Sequence, residues 1–98
     1  MKLYMIRRRS IWANEDELAA TNKTSAEIGS EMADRLRWIR SYAVNEADGR
    51  IGSVCFYEAD SPDAIREHGN RIGAPSEEIL PVGGAAVKQP DPQPVQYG

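Results

Sequence analysis

Ninety-eight residues suffice for one small domain with little core to spare, since a chain this short buries a limited fraction of its surface. Its 41% hydrophobic and 28% charged residues are those of a packed soluble protein and speak against a disordered or membrane chain. Twelve basic against 15 acidic residues give a net charge of -3, which argues against nucleic-acid binding by counterion release.

A single cysteine, Cys55, cannot form an internal disulfide. No apolar stretch near the N-terminus is long enough for a signal peptide or a membrane span, so the expectation is a cytoplasmic protein with no membrane partner.

The chain opens with a strand over Lys2 to Trp12, whose apolar run Leu3-Tyr4-Met5-Ile6 suits a central position. Arg7, Arg8 and Arg9 follow. Side chains alternate along a strand, so Arg7 and Arg9 share the face of Met5, and Arg8 shares that of Ile6.

Asn14 is a good N-cap, and Glu15, Asp16 and Glu17 place negative charge on the first turn of a helix. Leu18, Thr21, Ser25, Ile28, Met32 and Leu36 recur at three- and four-residue steps as a moderate apolar stripe. Thr24 and Glu27 have the spacing of a capping box, so the helix is expected to run either unbroken or with one kink between Asn22 and Ser25.

From Arg37 the period switches to two, with Trp38, Arg40, Tyr42 and Val44 on one face and Ile39, Ser41 and Ala43 on the other. Asp48-Gly49 marks a reverse turn, and Ile51 to Ala59 forms the second strand of a hairpin. Adjacent Val54, Cys55 and Phe56 suggest burial on both sides of that strand. Ser61, Pro62 and Asp63 start a second helix, with Ala64, Ile65, His68 and Ile72 along one side and Glu67 spaced to pair with Arg71. Gly73 and Pro75 end it, and Glu78 to Val82 is a last short strand that Pro81 assigns to an edge.

The expected division is a domain over residues 1–84 and a Pro-rich C-terminal tail over 85–98, extended or disordered, with Val95 and Tyr97 as its anchors on any partner subunit. The order β-α-β-β-α-β defines an α+β, ferredoxin-like sandwich with both helices on one face of the sheet. The other face needs a cover. A second copy of the chain supplies it most simply, which predicts a homodimer, a dimeric α/β barrel with a ligand cleft between the sheets.

The runs Trp38-Ile39-Arg40-Ser41-Tyr42, Cys55-Phe56-Tyr57-Glu58-Ala59, Ser61 to His68 and Gly73-Ala74-Pro75 resemble a bacterial domain-of-unknown-function family of ferredoxin-like proteins. One branch of that family is described as nickel-binding. The resemblance covers residues 3–82, and its motifs specify fold more than activity. It implies nickel as the one candidate cofactor. The family pattern often carries Glu or His in the middle of the first strand and His two residues before the Tyr of the second, where this chain has Arg7 or Arg8 and Arg40. A guanidinium offers a metal no lone pair, so no cofactor is expected on the residues themselves.

His68, the single histidine, is a weak metal candidate, because no second His or paired Cys completes a ligand set. Cys55 reads as a small buried hydrophobe, and neither Ser41 nor Ser53 has a recognisable base. The constellation with the most chemistry is Arg7, Arg9 and Arg40 with Trp38, Tyr42 and Tyr57: guanidinium forks between aromatic walls suit a small anionic or aromatic molecule. Their alternative role is pairing with Glu or Asp. The leading expectation is a small-ligand binding or accessory protein, with no catalytic residue assigned. Two alternatives stand beside it: a cofactor-independent enzyme of the dimeric α/β-barrel type, a monooxygenase or isomerase using Arg40, Tyr42 or His68, and a nickel-binding, metal-responsive protein.

Overall fold

The computed structural model describes residues 1–91. Val95 and Tyr97, and the tail beyond Asp91, lie outside them. The elements follow as β1 (Lys2–Trp12), α1 (Glu15–Glu31), β2 (Leu36–Asn45), β3 (Ile51–Ala59), α2 (Pro62–Arg71) and β4 (Glu78–Pro81). All strand pairs are antiparallel in the order β2-β3-β1-β4, the ferredoxin-like arrangement, with β4 at an edge. Among the described residues no helix is long and apolar enough to cross a membrane.

Local chemistry fixes the helix ends. Asn14 accepts the Glu17 amide at 3.0 Å while the Glu17 carboxylate accepts the Ala13 amide at 2.9 Å, satisfying donors that the helix leaves free. Helix α1 runs unbroken through the Thr24 region, where the Thr24 hydroxyl donates back to the Ala20 carbonyl. Leu36 is the first residue of β2, so the helical stripe ends at Met32. Ser61 caps α2 and Pro62 opens it. Glu67 pairs with Arg35 and Arg71 with Glu31, tying α2 to its neighbours in place of the expected bond along the helix.

Two apolar clusters lie between the helices and the sheet. One holds Tyr4, Ile6, Leu36, Tyr57 and Ile65; the other holds Trp12, Leu18, Ile51 and Ala74. Arg8 sits between them on β1, on the helix face, as the alternation of β1 requires.

Two irregularities set the register. In β1 two extra residues between Arg8 and Trp12 leave the alternation intact, so Trp12 stays on the face of Arg8. Ser10, in this bulge, has a φ of 52°, and its amide donates to Glu46. In β2 one extra residue, Ile39, falls between the Trp38–Tyr57 and Arg40–Phe56 pairs. A single insertion exchanges faces. Trp38 therefore shares the helix face with Ser41 and Ala43, while Arg40, Tyr42 and Val44 point the other way, which corrects the grouping read from strict alternation.

The helices cover one face only. On the other, Val54 and Phe56 of β3 are half-buried rather than enclosed, beside Met5 and a Leu80 that is 43% exposed.

Candidate functional site: a cavity under the first helix

A cavity of about 300 Å³ lies between α1 and the sheet. It exists because α1 is lightly packed: along 17 residues only Leu18 and Ser25 are buried. Small residues on the strands beneath, Ala43, Ser53 and Cys55, leave the space unfilled. Trp12 and Trp38 wall it, and the Trp12 indole N–H donates to Thr21 at 2.9 Å, fixing that ring against α1. The Trp38 indole N–H donates to Ser41 at 2.7 Å. Exposed Ile39 and Ser41 place the mouth at β2, an edge strand.

Arg8 forms part of the floor and is only 2% exposed. Its Nε donates to the Ala74 carbonyl at 2.8 Å, one terminal nitrogen to Ser76 Oγ at 3.3 Å, and the other to Cys55 Sγ at 3.7 Å. The Cys55 thiol in turn donates to Ser53 Oγ at 3.5 Å.

Tyr57, 2% exposed, brings its hydroxyl to 3.4 Å from Ser25 Oγ. Burial above all, then the proximity of Cys55, pushes its phenol up to about 12, against weaker opposing effects of Ser25 and Arg8. Tyr57 is thus a protonated hydrogen-bonding group at neutral pH, not a base.

His68 lies outside the cavity lining. Its Nε2 is 3.2 Å from the Ser25 carbonyl, which can only accept, so Nε2 carries the proton. Nδ1 is buried with no hydrogen-bond partner among the described residues. Burial first, then the positive charges of Arg8 and Arg71, lower the pKa of the ring against the raising effect of the Ser25 carbonyl, so the imidazole is neutral.

The residues singled out in the sequence divide between the two faces. Trp38 and Tyr57 meet on the helix face, their ring centroids 6.2 Å apart. Arg7, Arg9, Arg40 and Tyr42 are on the other, each arginine beside a carboxylate. Arg7 binds Glu46 at 2.9 Å, Arg9 contacts Glu77 and Glu78, and Arg40 joins Tyr42 and Asp91. Arg40 and Tyr42 also border the cavity mouth. Arg8 was not among the residues chosen from the sequence. Its signal was a charge on the apolar parity of β1, alternating with Tyr4, Ile6 and Trp12.

Fold and cavity together define a small α+β protein with a polar-floored chamber on one side of the sheet and three carboxylate-paired arginines on the other. The chain belongs to the family described as "Nickel responsive protein SCO4226-like", whose pattern matches residues 4–82. Its fold is similar to that in the crystal structure of SCO4226 from Streptomyces coelicolor A3(2), with a TM-score of 0.70 at 20% identity, over 86% of this chain and 99% of that one. No curated protein matches.

Nickel, which the family description brings to mind, does not fit the donors of one chain. Among the described residues no three His, Cys, Asp or Glu side chains gather as a ligand set. His68 is enclosed beneath α1 and hydrogen-bonded to Ser25, while Glu67 is on the surface with Arg35 and Glu58 pairs with Arg37.

Proposed function

We propose that this protein binds a small organic molecule in the cavity under α1, as a binding or accessory protein and not as a catalyst, and that it works as a homodimer. The chamber itself carries the reading: about 300 Å³, at the lower end of small-molecule sites, with aromatic walls and a few polar groups on the floor. A protein of this size gains nothing in stability from leaving such a space unfilled. The binding role is favoured over catalysis because the single histidine is not in the lining and Tyr57 holds its proton.

The dimer is supported by the uncovered sheet face, where Met5, Val54, Phe56 and Leu80 form an apolar strip that a second copy would bury. A cytoplasmic setting accords with the free, buried thiol of Cys55. The family's nickel response remains a second reading on the strength of the family match alone. It predicts that nickel raises the melting temperature of the protein and that His68→Ala abolishes that rise; a melting temperature that nickel leaves unchanged in the wild type removes it.

Native mass spectrometry of untagged protein tests the main reading. The expected spectrum is a dimer carrying an organic adduct, with the adduct lost in an Ala43→Phe variant that fills the chamber. A bare monomer, or an adduct unaffected by Ala43→Phe, would overturn it.

A further inference from the structure

Building on the reading that the cavity takes a small organic molecule, we infer that the molecule is a carboxylate monoanion with a flat apolar body, its charged end held by Arg8. Arg8 is the most buried guanidinium described, and its bonding is unlike that of its neighbours. Seven arginines have a carboxylate within ion-pair distance, although they are far more exposed. Arg8, at 2% exposure, is surrounded by a carbonyl, the hydroxyls of Ser76 and Tyr57 and a thiol, with no carboxylate in ion-pair distance among the described residues. A buried charge without an opposite charge is costly, and a methionine of similar length would fill the space without that cost. A ligand anion resolves the imbalance.

Geometry leaves room for it. Three of the five N–H groups of a guanidinium are accounted for by those bonds, and the weakest, to Cys55 Sγ at 3.7 Å, lies on the cavity side where Cys55 and Arg8 both form the lining. No Asp or Glu is among the described lining residues, so no carboxylate of the lining competes with an incoming anion for Arg8. Arg40, the other charged group of the lining, already holds Asp91. One unmatched positive charge with neutral hydroxyls around it suits a monoanion, whereas a phosphate dianion would require a second cation. Trp12 and Trp38 supply the walls for a ring.

The test is calorimetric titration of the full chain with benzoate, 2-naphthoate and indole-3-acetate, each beside its neutral carboxamide. At least one acid should bind about ten- to a hundredfold more tightly than its amide, the range expected for a charged hydrogen bond. Arg8→Met should erase that preference while leaving amide binding, and Arg8→Lys should retain part of it. Because the acid–amide comparison is made in the unaltered protein, it stands even if Arg8→Met fails to fold. Equal binding of acid and amide would overturn the anion assignment and leave the cavity reading in place. No binding by any of the six would overturn both.

Discussion

Gly52 offers a sharp test of the register that places Arg8 beneath the cavity. It faces the bulge of β1, and a Cβ built on it would overlap the Arg8 carbonyl and the Glu46 carboxylate and come within 2.9 Å of Arg7 Nη1. The carbonyl is backbone and cannot swing aside. The Arg7 side chain is held there too, donating to the Arg8 carbonyl at 2.7 Å and to the Ser53 carbonyl at 3.3 Å. Gly52→Ala must therefore push β1 and β3 apart or break these bonds. Overpacking of this kind costs about 1–3 kcal/mol, which in a domain of this length lowers Tm by roughly 5–20 °C. The assay is thermal unfolding followed by circular dichroism at fixed protein concentration, since the proposed dimer would make Tm depend on concentration. Gly83→Ala is the control, because nothing lies within 4 Å of a Cβ there. If Gly52→Ala melts with the control, the close approach of β1 to Gly52, and with it the seating of Arg8, is wrong.

The buried, neutral His68 predicts a pH dependence of stability. Its folded pKa lies below the ordinary 6.5, so the unfolded chain takes up the proton first and stability falls as pH drops below that value. The slope from one such proton is at most about 1.4 kcal/mol per pH unit, and His68→Gln should abolish it between about pH 7 and pH 5.5. Glu46, Asp48 and Glu67 are also held below their ordinary values, by bonds from Arg7, the Arg50 amide and Arg35 respectively, and so act in the same direction only at more acidic pH. Asn14→Ala removes the cap of α1 and should cost about 1 kcal/mol, read as a lower midpoint in urea with an unchanged slope. Phe56→Arg, on the uncovered sheet face, should halve the mass seen by light scattering while preserving the circular dichroism spectrum; a wild-type monomer would refute the dimer.

The order of elements was legible because each carries a local signal. Asn14 and Ser61 cap, Asp48-Gly49 turns with Gly49 at a φ of 84°, and Pro81 marks an edge strand. The faces of Tyr4 to Arg8 and of Trp12 in β1 were legible too, since the bulge there inserts an even number of residues. In β2 it was not. Ile39 is an ordinary strand residue, and its displacement arises from pairing with β3, which no local pattern records. That single slip separates Trp38 and Tyr57 from Arg40 and Tyr42, so one imagined cluster becomes two sites on opposite faces. The carboxylate partners of the outer arginines were equally hidden, because Arg7–Glu46 and Arg40–Asp91 join residues distant in sequence. Arg8 was visible as a charge at an apolar position. Its meaning was not, since only the fold reveals that no carboxylate among the described residues lies in ion-pair distance of it.

The chain's two tryptophans permit the most direct test of the claim that the cavity is a binding site, because both line it. Their indole N–H signals, from Trp12 and Trp38, can be followed by two-dimensional NMR during titration with 2-naphthoate. Saturable shifts of both indoles, accompanied by the Thr21 and Ser41 amides and not by Phe56 or Leu80, are the predicted result. Indoles that stay still while resonances on the uncovered sheet face move would place the ligand elsewhere and contradict the account.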